Sequence, residues 1–251
     1  MHNVAQKPIP VAEYVSGEFS PISHLAHNWE LHSATLLSPA EERSMVREPA
    51  SAVPDAVAKR MRPLRVLLVP YVSCSPPTCD FVCFSKPEGD THSALWLERE
   101  GHTNLVLPCR ELDAHDTGFE LLASVAELLR PNLKPAELDR YADLLEEELK
   151  LGVESEIDEE AVAAKHALRV RSALRRRLSP DFERYRDVSF VSTLAEYIHG
   201  LWHDVEIRIG AEHLPVPQLR RRMEWMAELF PPNTGYEVFA RELRQVDPPS
   251  S

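Results

Sequence analysis

The 251-residue chain is poor in glycine, with 8 against 21 prolines, and poor in cysteine, with 4. Few positions are therefore free to take positive φ, and neither a dinucleotide fingerprint nor a Walker-type loop occurs, which excludes the common nucleotide chemistries. Four cysteines are too sparse for a disulfide scaffold and suit a reducing compartment. No apolar run approaches the roughly 20 residues that cross a bilayer, and the N-terminal MHNVAQKPIPVAEY lacks the charged-then-apolar layout of a secretory signal. A cytoplasmic location without membrane association is expected. Positive charge is also short: 28 Lys and Arg against 40 Asp and Glu leave a net charge of −12. That balance argues against nucleic acid as a partner, because neutralising phosphates takes a concentrated basic surface.

With 43% hydrophobic and 27% charged residues the chain reads as globular. Residues 1–63 read as an irregular, proline-rich N-terminal arm, interrupted by prolines at 8, 10, 21, 39, 49, 54 and 63. Ser38-Pro39 followed by Glu41 is a helix start, and Trp29, Leu31, Leu36 and Leu37 suggest that the arm packs on its own chain or on a partner. Residues 64–251 read as an α+β body. Its first part, 64–109, carries β-type runs at 64–72, 80–84, 93–98 and 104–109 separated by short turns, which predicts a central antiparallel meander of about four strands. Connections so short leave no room for crossover helices.

From 117 to 245 the pattern turns helical, and these helices are expected to cover the meander. Phe119–Leu129 stops before Pro131, and a second helix ends at the natural cap Gly152. A third opens at Ser155 and Asp158 and ends at Arg175, Arg176 and Arg177. Residues 190–209 and 216–230 form two more, with Pro231 and Pro232 ending the last, and Tyr236–Leu243 predicts a final short helix.

Glu196, His199, His203 and Glu206 draw the most informative pattern, a polar stripe along one helix. Taking about 100° per residue, it borders an apolar arc centred on Ile198. Imidazoles one turn apart can share a metal ion, with Glu196, Glu206, His213, His115 or Asp116 as third ligand. The stripe departs from the HExxH helix of zinc peptidases, since Gly200 stands where those enzymes keep their base. It also lacks the second Glu-x-x-His pair that di-iron bundles require. The plainer reading is a solvated helix flank.

Other constellations are weaker. Cys74, Cys79, Cys83 and Cys109 could surround a zinc ion with His92 or His102, but their spacing matches no familiar zinc pattern, and small apolar residues on a sheet face explain them as well. His24, His27 and His32 share no helix or strand face. Asp113, His115 and Asp116 lie in a loop, where Asp116 could cap the next helix. Arg175, Arg176, Arg177, Arg220, Arg221 and Arg222 form basic islands that could meet an acidic partner or pair within the fold. Two functions follow as expectations. One is a binding or adaptor protein with a protein partner or a second copy of itself. The other is a metal-dependent hydrolase, with zinc on His199, His203 and His213 and with Glu196 or Glu206 as base.

Overall fold

The computed structural model describes residues 7–75, 79–168, 177–204 and 213–239, with Ser75 and Cys79 described for backbone only. The chain divides into two compact units, residues 1–124 and 125–251. Strands lie in the first and most of the long helices in the second, which makes the protein α+β. No helix among the described residues is long and apolar enough to cross a membrane.

Among its described residues the first unit holds eight strands: β1 (Ile9–Pro10), β2 (Ser23–His24), β3 (Glu30–Ser33), β4 (Leu64–Val69), β5 (Tyr71–Ser75), β6 (Cys79–Cys83), β7 (Leu95–Arg99) and β8 (His102–Pro108). Every β run expected between 64 and 109 forms strand. The arrangement is mixed, however, where a simple antiparallel meander was expected. One sheet has the order β2-β3-β4-β8-β7, the other β1-β6-β5. Strand β4 pairs in parallel with both β3 and β8, while β5 with β6 and β7 with β8 are antiparallel. The parallel partner of β4 is the last run of the series, so the crossover is the whole stretch 70–101 and needs no helix. The run expected at 64–72 breaks at Pro70, and its two halves serve different sheets.

The stretch expected as an arm contributes strands and core. It supplies β1, β2 and β3 and the helices α1 (Val11–Tyr14), α2 (Pro39–Glu42), α3 (Glu48–Ala52) and α4 (Asp55–Ala58), and it buries Trp29, Leu31, Met45, Val46, Ala50, Val53 and Val57. Helix α2 starts as the residues dictate. Ser38 Oγ accepts from the Glu41 amide at 3.2 Å, and the Glu41 carboxylate accepts from the Ser38 amide at 2.7 Å. Val11, Val15, Leu67, Val69, Val72, Val82 and Val106 form one apolar cluster, so the inward faces of both sheets share a core.

Helix α5 (Ala114–Leu129) runs across the boundary between the units. It begins five residues before the expected Phe119 and is capped by Asp113, whose Oδ1 accepts from the Asp116 amide at 2.8 Å. Asp113 therefore holds the capping role that Asp116 was expected to play. The second unit contains α6 (Pro135–Lys150), α7 (Glu159–His166), α8 (Pro180–His203) and α9 (Val216–Leu229). Gly152 takes φ +73 just past α6, a conformation that costs an L side chain about 1 kcal/mol and glycine little. Asp158 Oδ1 caps α7 through the Ala161 amide at 2.7 Å. The arginine-rich end expected for that helix lies largely outside the described residues, and α7 stops at His166. Tyr236–Phe239, expected to open a last helix, is not helical, and Phe239 takes φ +59.

Candidate functional site

Helix α8 carries the histidine stripe but differs from the expected helix at both ends. It begins at Ser179, whose Oγ accepts from the Phe182 amide at 3.2 Å, and it ends at His203, where Asp204 takes φ +73 and cannot continue the turn. Glu206 lies outside the described residues. The helix is buried nearly all round between Ser189 and Leu201, leaving Val191, Glu196 and His199 half-buried. His199 Nδ1 stands 3.5 Å from Glu196 Oε2. His203 is exposed and packs its ring 3.9 Å from that of Trp202. His213 pairs its backbone with Glu156 in an isolated bridge. Among the described residues, these histidines and Glu196 form no group of three convergent metal donors.

The basic islands divide. Arg175 and Arg176 lie outside the described residues. Arg177 pairs with Asp143 and donates to the Asp139 carbonyl at 2.9 Å. Arg220 lies 4.3 Å over the Phe239 ring, and Arg221 pairs with Glu147. Arg222, expected among the partner-facing arginines, is completely buried. A buried cation cannot meet an outside partner, so its role is internal.

Arg222 stands at the centre of a polar network in the second unit. Its Nη2 donates to Glu148 at 2.5 Å and its Nη1 to Glu156 at 2.6 Å and to Ser189 Oγ at 3.0 Å. Lys165 Nζ adds a bond of 2.8 Å to Glu156, and Tyr185 donates its hydroxyl to the same carboxylate. Tyr141 stands 2.8 Å from Thr193 Oγ1 and 3.0 Å from Ser189 Oγ. Burial alone would raise the Glu156 carboxyl, but the charges of Arg222 and Lys165 outweigh it and hold the group down to about 2. Burial pushes the Tyr141 hydroxyl up to about 12 and drives Tyr185 further up still, with the Glu156 charge adding to it. Two cations face two anions, and each carboxylate is held by several donors. The network is closed.

The first unit holds a cluster of another kind. Cys74 on β5 stands opposite Asp80 on β6. On the other side of β5, an isolated antiparallel bridge between Ser73 and Thr91 brings in the next segment, with Cys74 N donating to Asp90 O at 2.9 Å and His92 N to Val72 O at 3.0 Å. Pairing on both flanks of one strand places Cys74, Asp80 and His92 on the same face as buried Val72 and Val82. One donor atom from each of the three lies within 4.8 Å of the others, and His92 Nε2 is 3.0 Å from Asp80 Oδ1. All three are partly exposed, so the trio sits where the buried face meets solvent.

This geometry separates two chemistries. A thiol, an imidazole and a carboxylate acting as a nucleophilic relay keep thiol and carboxylate on opposite sides of the ring, about 7 Å apart. Here the sulfur and a carboxylate oxygen are within 4.8 Å. Three donors drawn toward one point match metal coordination instead. Ligand atoms about 2.0–2.3 Å from a tetrahedral zinc are about 3.3–3.6 Å from one another, a distance that small side-chain shifts would reach.

Of the cysteine and histidine set considered from sequence, the fold brings together only Cys74 and His92 among the described residues, and it adds Asp80. Cys83 is buried on the opposite face, 3.5 Å from Ser73 Oγ. Burial pushes the Cys109 thiol up to about 11, and His102 engages the Glu100 carbonyl at 3.3 Å. The side chain of Cys79 lies outside the description. Asp80 was missed because gaps of six and twelve residues from Cys74 to Asp80 to His92 resemble no metal motif. The turn-rich stretch between the runs was the only clue that 74 and 80 face each other. A second convergent trio, Asp113, His115 and Asp116, is exposed at the start of α5, and Asp113 is already engaged as the helix cap. No family model, curated protein or solved structure matches this chain.

Proposed function

We propose that the protein is a metal-binding protein whose zinc ion is held by Cys74, Asp80 and His92. The reading rests on the convergence of three lone-pair donors within 4.8 Å at a half-exposed sheet end. A thiolate among the donors favours zinc over magnesium or calcium, which prefer oxygen ligands. It also requires a reduced thiol, in keeping with a cytoplasmic setting. Metal analysis of untagged protein is expected to find near-stoichiometric zinc that is lost in a Cys74→Ser, His92→Ala double variant. Retention of that zinc by the double variant, or its loss in a His199→Ala, His203→Ala variant, would move the site elsewhere.

An interaction role has its own support. Leu36 is 94% exposed, yet its backbone is braced by Arg110, which donates to the Leu36 carbonyl at 2.8 Å and pairs with Glu41 at 3.0 Å. A leucine whose backbone is fixed and whose side chain is exposed offers apolar surface that a partner protein or a second copy would bury. Leu36→Asp is expected to lower a concentration-dependent rise in mass seen by sedimentation or light scattering. A monomer at every concentration, together with no partner recovered in a pull-down, would retire this role.

A further inference from the structure

The two sheets end on β1, β5, β2 and β7, and the first three of these edges are blunted. Strands β1 and β2 are two residues long, and β1 finishes on Pro10, which has no amide proton to offer. The outer flank of β5 is taken up by the backbone bonds from Cys74 to Asp90 and from His92 to Val72. Strand β7 differs. It has five residues, contains no proline and pairs only with β8 among the described residues.

The hairpin fixes which of its groups face out. Glu100 and Gly101 take φ +52 and +80, as a two-residue type I′ turn requires, so Arg99 and His102 on either side form a hydrogen-bonded pair. Leu97 and Leu95, at intervals of two, also turn their backbone toward β8. Thr103 N donates to Pro63 O at 2.9 Å, on the far side of β8, which agrees with a non-bonded position for its partner Glu98. The amides and carbonyls of Trp96 and Glu98 therefore point away from the sheet and make no bond within the described residues. The edge carries apolar surface and matched charge. Leu97 is 37% exposed and Trp96 half-buried, Glu98 is paired with Arg62 at 3.0 Å, and Arg99 donates to Ser16 and to Glu100. Proline, a bulge or an unmatched charge, the usual guards of an edge strand, are all missing from it.

We propose that β7 is the docking edge for a second copy of this chain, which adds its own β7 antiparallel about a twofold axis at Leu97. The residues select both occupant and register. With Leu97 on the axis, Trp96 of each copy lies opposite Glu98 of the other, and every outward amide and carbonyl of these residues gains a partner. Centring on Trp96 would leave the Glu98 groups unmatched, and centring on Glu98 would set two carboxylates face to face. In the chosen register the two Leu97 side chains meet at a non-bonded position, with Cβ atoms about 4.5–5.5 Å apart. Each Leu95 faces the aliphatic stem of the other copy's Arg99. The two five-stranded sheets become one.

The test uses the untagged full chain. One short strand per copy makes a small interface, so sedimentation is expected to show monomer at about 1 μM and dimer at about 500 μM. Glu98→Pro removes an outward amide and spares the ladder to β8, and it is expected to raise the dissociation constant at least about tenfold. Glu98→Gln keeps that amide and should keep the dimer. Leu97→Lys, which sets two cations across the axis, should be monomeric even if the proline variant fails to fold. Under mild oxidation Leu97→Cys is expected to give a covalent dimer well above the wild-type level, and to do so equally in a Leu36→Asp background. Arg99→Cys should not, its two copies being about 13 Å apart along the strands. Monomer at every concentration, a dimer indifferent to both Glu98→Pro and Leu97→Lys, or cross-linking of Arg99→Cys as efficient as that of Leu97→Cys would each overturn the proposal.

Discussion

The Arg222 network and the Cys74 trio are both clusters of polar side chains, and they differ in what they lack. Around Arg222, two cations and two anions are matched, the side chains of Arg222, Glu148 and Glu156 have no exposed surface, and hydroxyls of Tyr185 and Ser189 fill in the remaining bonds. Nothing is left over for a ligand. Around Cys74, a thiol, an imidazole and a carboxylate, each able to bind a metal ion, lie together at a solvent-facing edge, with His92 hydrogen-bonded to Asp80. A cluster that satisfies itself serves the fold, and one that would be completed by a cation is a candidate for function.

Breaking the closed network is expected to have the largest effect. Arg222→Leu removes the arginine from two buried carboxylates, leaving Glu156 with Lys165 and Tyr185 alone, and should cost about 3–5 kcal/mol in urea unfolding. A loss under about 1 kcal/mol would mean that the network is looser than its geometry implies. The same network predicts acid sensitivity. Glu156 is held down to about 2 in the folded protein, so its contribution of about 3 kcal/mol is complete above the usual carboxylate pKa and disappears as pH falls from about 4.5 toward 2. Glu156→Gln should flatten stability across that window, and identical pH profiles for the two proteins would sever the link.

The open cluster should respond to metal and hardly at all to truncation. Zinc at about a hundred times its Kd is expected to stabilise the protein by about 2.7 kcal/mol, while Cys74→Ser in stripped protein should change stability by less than about 1 kcal/mol, since the site lies at a sheet edge. A collapse of the stripped protein would instead make the site structural. Smallest of all, His203→Ala on the exposed end of α8 should fall within about 0.5 kcal/mol and leave zinc content unchanged.

Much of the fold was legible in the residues. The Ser38 capping box, the stop of α5 before Pro131, the cap at Gly152 and the extent of α9 all follow from local chemistry, which acts within a few residues and is written in order along the chain. The sheet was legible in its strands and not in its pairing. A clue to the parallel partnership was present: LRVLLV is almost uninterrupted in apolar residues and is buried on both faces, as a central parallel strand must be. Choosing β8 over β6 as its neighbour depended on contacts some forty residues apart, which no local signal reports.

The candidate site divides the same way. Sequence alone determined that α8 carries Glu196, His199 and His203 along a flank, that Cys74 and His92 lie in β-rich, turn-rich surroundings, and that nucleotide loops are absent, because helical periodicity and turn chemistry depend on near neighbours. Only the tertiary structure decided that Asp80 and His92 converge on Cys74 from opposite flanks of β5, that Arg222 lies in the core facing Glu148 and Glu156, and that His203 faces water. Strand register and helix packing set those partnerships, and both are fixed by the burial of apolar surface far along the chain from the polar groups they bring together.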